Sequence, residues 1–127
     1  MIMTMIKNIE YKNGVDNMDI FFFTVPMLLL FSYVAYYYKT VLQKPMIVTS
    51  LRKDRVPRIN DVHFYGRGCD VRTHSLDHKE KKALLADIIS RFHYDNFHKC
   101  AIIHGEGGNE HLHLQVPENV DKYFKKF

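Results

Sequence analysis

Residues 20–38 (IFFFTVPMLLLFSYVAYYY) run for nineteen positions without a charged side chain, and no other stretch restricts the possible folds as sharply. A run of that length just reaches across a bilayer, with tyrosines at one end where an aromatic belt would place them. Its internal pattern favours a helix lying on a protein core instead. Pro26 suits the first turn of a helix better than its middle. Beyond it, Ser32, Tyr36, Lys39, Thr40 and Gln43 share one face, and Met27, Leu30, Phe31, Val34, Tyr38 and Val41 share the other. The basic residues that follow (Lys39, Lys44, Arg52, Lys53, Arg55, Arg58) would keep the remainder of an anchored chain on the cytoplasmic side. A cleavable signal is disfavoured because no small-x-small site precedes Lys39. Residues 18–44 therefore read as a domain helix, with a membrane anchor as the alternative.

The chain of 127 residues suits one domain, large enough to bury a core without disulfides. Residues 1–17 are polar, with a turn signal at Asn13-Gly14 and no sustained period, and read as a loose leader. Residues 45–120 hold the elements of a core and 121–127 a basic, aromatic tail. Net charge +4 and a pI near 9.0 suit acidic polymers in general without choosing among them. Cys69 and Cys100 lie in apolar runs without C-x-x-C spacing and read as two reduced core residues.

Within the core, 46–51 is expected to be a buried strand, 52–60 a basic surface loop, and Cys69–Arg72 a strand entered through Gly66 and Gly68. Asp77 and Glu80 form a capping-box pair, opening a helix to about Phe92 with Leu84, Leu85, Ile88, Ile89 and Phe92 on one face. A strand at 100–103, a glycine-rich hairpin at 105–109 and a strand at 111–116 complete the chain. The fold expected is α+β: a small antiparallel sheet flanked by two to three helices.

Alternation along 111–116 puts His111 and His113 on one face and sends Leu112 and Leu114 into the core. His63, Asp70 and His113 are side chains of the kinds that bind Zn²⁺ while leaving a fourth position open for water. Glu110, at the mouth of the strand, is placed to act as base, and Arg52, at the end of another, to stabilise charge on an attacked carbonyl oxygen. An aspartate on a strand is costly to bury alone, which independently favours a cation beside Asp70.

His63-x-x-Gly66-Arg67-Gly68-x-Asp70 resembles the first zinc motif of the D-alanyl-D-alanine metallopeptidases, the family of carboxypeptidases, resistance dipeptidases and phage endolysins. Glu110-His111-x-His113 resembles their second motif, and Thr49-Ser50-Leu51-Arg52 is similar to the T-S-x-x-R strand that precedes both, with one spacer residue fewer. The resemblance runs from about Val25 to Val116, with three motifs in the family's order. It implies a hedgehog-like zinc peptidase fold, Zn²⁺ on His63, Asp70 and His113, and Glu110 as general base and acid. It also implies His111 as a hydrogen-bond donor at the reaction centre and Arg52 as carbonyl stabiliser. The partner implied is a peptidoglycan stem peptide, cut by carboxypeptidase or endopeptidase action in the periplasm or at the wall. A monomer is expected, no nucleic acid is, and a membrane contact through 20–38 stays possible. Gly68 stands where alanine is commoner, and Asp61-Val62 stand where the family often has a serine.

Two other readings use the same residues. A zinc domain of this fold can be non-catalytic, as the hedgehog signalling domain shows by resemblance. His111-Leu112-His113 also fits the core of single-strand DNA nicking enzymes of the HUH type, with Tyr123-Phe124-Lys125-Lys126 imitating their nucleophile motif. Only nine residues separate His113 from Tyr123, too few for the helix those enzymes place there. A histidine-triad transferase using Gln115 would leave His63 and Asp70 without a role. His104 reads as a rim histidine, His74 and His78 as solvated, and Arg67 and Arg72 as carboxylate binders or structural ion-pair partners.

Overall fold

The computed structural model describes residues 8–51, 66–93 and 99–117. Arg52, His63 and Tyr123, together with the loop 52–60 and the tail 121–127, lie outside the described residues.

Five strands form one mixed sheet: β1 (Ile9–Tyr11), β2 (Met46–Ser50), β3 (Gly68–Arg72), β4 (Ala101–His104) and β5 (His111–Gln115), in the order β1-β2-β3-β5-β4. The α+β class is as the sequence predicts. All pairings are antiparallel except the first, in which β1 runs parallel to β2 with Ile9 opposite Met46. This parallel edge strand stands where a loose leader was expected. Its short length explains the difference, since three residues carry no period of their own and their partner defines them.

The helices are α1 (Val25–Tyr37) and α2 (His78–Arg91), with a short 3-10 turn at Asn17–Phe22 ahead of α1. α1 begins at Thr24, whose hydroxyl accepts from Met27 N, and Pro26 sits in its first turn, where a missing N–H costs nothing. Met27, Leu30, Phe31, Val34 and Tyr38 are buried, as their periodicity requires. Val41, expected beside them, is 61% exposed. The reason is local: the helix widens to a π turn over Tyr38–Leu42 and ends on left-handed Gln43, so the period of 3.6 no longer holds. The stretch Val25–Leu42 is long and apolar enough to cross a membrane by length and composition, and half of it is buried inside the fold.

At α2 the capping box forms as expected: Asp77 accepts from Glu80 N at 2.8 Å and Glu80 accepts from Asp77 N at 2.9 Å. Such a cap contributes about 1 kcal/mol. Leu84 and Ile88 are buried, while Ile89 turns partly to solvent. Lys44 reaches Glu80 at 3.0 Å, and Tyr33 on α1 donates to Asp87 on α2, with Arg91 stacked 5.2 Å from the Tyr33 ring. Burial and that carboxylate push the Tyr33 hydroxyl up to about 12.

Both helices cover the same face of the sheet, on which Met46, Val48, Cys69, Val71, Leu112 and Leu114 are fully buried. Cys69 and Cys100 are free, buried thiols of this core. The opposite face carries the polar members of β3, β4 and β5.

Candidate active site

Alternation on two neighbouring strands builds the polar face. β3 presents Asp70 and Arg72 between buried Cys69 and Val71, and β5 presents His111, His113 and Gln115 between buried Leu112 and Leu114. The antiparallel register sets Asp70 opposite His113 and Arg72 opposite His111. On the other flank of β5, His104 of β4 stands opposite His111. β2 contributes Ser50 opposite Asp70, through a bulge that adds one residue between Val48 and Ser50.

Side-chain distances follow from this register. Asp70 Oδ1 is 2.8 Å from His113 Nδ1 and 3.8 Å from His111 Nε2. The His111 ring stands edge-on to His104, with centroids 4.2 Å apart, and its Nδ1 donates to the carbonyl of Asn109 at 2.9 Å. That bond fixes the hydrogen of a neutral His111 on Nδ1, so donation from Nε2 requires the doubly protonated ring. His104 is exposed at the rim, and His74 and His78 are exposed as expected. Arg67 donates to the carbonyl of Val116 at 3.2 Å, a structural role, whereas Arg72 lines the cleft.

Glu110 is placed differently from the histidines. Counting back from Leu112, it falls on the helix side of the sheet, and its Oε1 bonds Thr73 Oγ1 at 2.6 Å and Lys81 Nζ of α2 at 2.5 Å. Those two partners, Lys81 first, hold its carboxyl below the usual carboxylate range. Because it precedes the first residue of β5, it still reaches the mouth of the cleft around the strand end. The cleft has a volume of about 380 Å³ and is walled by Ser50, Asp70, Arg72, His74, Glu110 and His111, among others. Sequence reasoning missed Lys81 and Thr73, and nothing in the local pattern marks them, since they meet Glu110 only when α2 docks. It also gave Gln115 no part in the metal reading, although H-x-Q on a strand places both side chains on one face.

Of the residues expected to hold zinc, the fold brings Asp70 and His113 together, and His63 lies outside the described residues, as does Arg52. Among the described residues no group of three His, Cys, Asp or Glu side chains is arranged to hold a metal ion. A carboxylate oxygen and an imidazole nitrogen side by side on rigid strands are the donor types zinc takes. Asp70 and His113 are of the donor types that two of its positions take. Comparison of the chain with family models, with curated proteins and with solved structures gave no match in any of the three.

Proposed function

We propose that the chain is a zinc-dependent peptidase acting on peptidoglycan stem peptides, with Asp70, His113 and His63 as metal ligands. The observation that carries this reading is the pairing of Asp70 with His113 across β3 and β5, beside a polar cleft that Asp70, Glu110 and His111 line. Zinc bound there would lower the pKa of water towards about 7 and polarise the scissile carbonyl. Lys81 and Thr73 hold the Glu110 carboxyl below its ordinary range, and both bonds use Oε1. Oε2 is thus the oxygen that takes a proton and returns it to the departing amine nitrogen. Arg52 is assigned to the carbonyl oxygen by the likeness of Thr49-Ser50-Leu51-Arg52 to the family's T-S-x-x-R strand, one spacer residue shorter here.

The test pairs metal analysis with mass spectrometry of digested peptidoglycan. Wild-type protein is expected to hold one zinc and release stem-peptide fragments, and Glu110→Gln to keep the zinc and lose turnover. A fully active Glu110→Gln would remove that residue from the mechanism. The Lys81 ion pair on Glu110 is the observation that favours a non-catalytic zinc domain instead. A wild-type protein that binds zinc and releases no fragment would decide for it.

A further inference from the structure

Two cations line the cleft without a counter-charge of their own. Ile9 and Tyr11 pack against the core, so alternation turns Glu10 and Lys12 to the polar face of the sheet. Lys12 follows the last residue of β1, and its backbone N–H donates to Val48 O at 2.9 Å, which holds it beside Thr49 and Ser50 of β2. Arg72 reaches the same cleft from β3. Among the described residues neither the Lys12 nor the Arg72 side chain is hydrogen-bonded or ion-paired. The nearby acids are engaged elsewhere: Asp70 lies against His113, and Glu110 is held by Lys81 and Thr73. Glu10 shares the face of Lys12 but stands opposite Ile47 and does not line the cleft. A guanidinium and an ammonium that share a polar cleft with no internal partner are equipped to take an anion from outside.

We propose that Lys12 and Arg72 form the subsite for a free carboxylate of the substrate, on the β1 side of Asp70, and that they select peptides carrying one next to the bond to be cut; that the ligand is a peptide rests on the function proposed above. The sheet sets the scale. Only β2 separates β1 from β3, so the strands that carry the two cations are roughly 10 Å apart, two strand spacings. Both side chains are long enough to close on one carboxylate across that gap. Arg72 offers two parallel N–H groups to the two oxygens, and Lys12 adds a point charge from the other side. Thr49 and Ser50, between them on β2, line the same wall. Two groups of a peptide supply this chemistry: the α-carboxylate at its C-terminus, when the last bond is cut, and the side chain of an acidic residue, when the bond is internal.

Wild type, Lys12→Gln and Arg72→Gln, each checked for folding by circular dichroism, are compared on a synthetic stem peptide ending in D-Ala-D-Ala. The peptide is made in three forms: free acid, C-terminal amide, and free C-terminus with its glutamate carboxylate amidated. Mass spectrometry reads cleavage, and ¹⁵N–¹H titration of the backbone amides of β2 and β3 reads contact whether or not the peptide is cut. Wild type is expected to bind one amidated form about 10- to 100-fold more weakly than the free acid. Loss on the C-terminal amide identifies the α-carboxylate and carboxypeptidase action, and loss on the glutamate amide identifies the side chain and an internal cut. Arg72→Gln is expected to treat the three peptides alike, and Lys12→Gln to lower the preference by about 2- to 5-fold. Equal binding of all three peptides by wild type, or an undiminished preference in Arg72→Gln, overturns the proposal, and cleavage by wild type in that case leaves the peptidase reading standing. A wild type that cuts none of the peptides, yet binds the free acid and discriminates against one amide through Arg72, upholds the subsite and removes the peptidase. Should Arg72→Gln fail to fold, Arg72→Lys, which keeps the charge and loses the fork, takes its place; an unchanged preference in both Arg72→Lys and Lys12→Gln refutes the assignment.

Discussion

Gly66 offers the sharpest test of how the first motif is built. It sits at φ +70°, and a Cβ there would lie 1.9 Å from the carbonyl oxygen of Phe22 and 2.7 Å from its carbonyl carbon. That is more than an ångström inside the closest approach a methyl tolerates, and the obstacle is backbone, which cannot rotate away. The same contact region holds the bond from Thr24 N to Gly66 O at 3.0 Å, which ties the approach to β3 to the N-cap of α1. Gly66→Ala thus carries three costs: about 1–2 kcal/mol for a left-handed L-residue, about 1–3 kcal/mol for overpacking and about 1 kcal/mol for a stretched backbone bond. Gly107→Ala is the control, because Gly107 has φ +53° with no atom within 4 Å of its Cβ and carries only the first cost. The two variants should therefore differ by about 2–4 kcal/mol, or roughly 8–15 °C in Tm for a domain of this size. Urea unfolding followed by far-ultraviolet circular dichroism, with the slope unchanged, measures the gap. Equal losses in the two variants would mean that Gly66 is chosen for its dihedral angle alone and that the Phe22 contact does not exist.

Two further perturbations probe the ionisable groups. The Glu110 carboxyl has a folded-state pKa below its ordinary value of 4.5, so its pairing stabilises the fold above that value and ceases to do so as pH falls through the lowered one. Lys81→Met should therefore be less stable than wild type at neutral pH, with the deficit closing as pH falls through the lowered Glu110 value, and ¹³C titration should show the Glu110 midpoint rising towards 4.5. A deficit that does not depend on pH would show that Lys81 contributes through packing rather than through Glu110. Burial pushes the Cys100 thiol up to about 11 and raises Cys69 well above its ordinary value, so neither should react with iodoacetamide in the native state at mildly alkaline pH, and both should react in denaturant. Native-state labelling of Cys69 would contradict its place in the core.

The parts of the fold that were legible in the sequence are those whose signal is local. The alternation of His111 to Val116, the Asp77–Glu80 cap and the face of α1 led by Met27, Leu30, Phe31 and Val34 each occupy a window short enough for period and capping chemistry to decide. What was not legible depends on partners distant in the chain. β1 exists because β2 offers its edge, and Val41 is exposed because the helix changes its winding at Tyr38. At the site, the sequence pointed to Asp70 and His113, and the register joins them. It could not show that Glu110 would be drawn to Lys81, since that contact requires α2 to be packed on the sheet first. The contact of His113 Nε2 with Gln115 Oε1 at 3.0 Å lay between these cases: the H-x-Q spacing is visible in the sequence, and the bond from Gln115 Nε2 to the Lys99 carbonyl is supplied by the pairing of β4 with β5.

The register that pairs Asp70 with His113 is itself held by the core. Leu112 and Leu114 are fully buried, and they alternate with His111 and His113 on the same strand. A slip of β5 by one residue would move both leucines to the polar face, losing about 1.5–3 kcal/mol for each. The same slip would bury two imidazoles without their present partners, at about 1–3 kcal/mol for each group left unsatisfied. Those costs, roughly 5–12 kcal/mol together, are comparable with the whole stability of a small domain. One-residue slippage is thus excluded while the protein stays folded. The alignment of Asp70 with His113 does not depend on the hydrogen bond between them. Positioning at this site is therefore divided between two scales, with the hydrophobic face of β5 setting which residues meet and its polar face setting which atoms do.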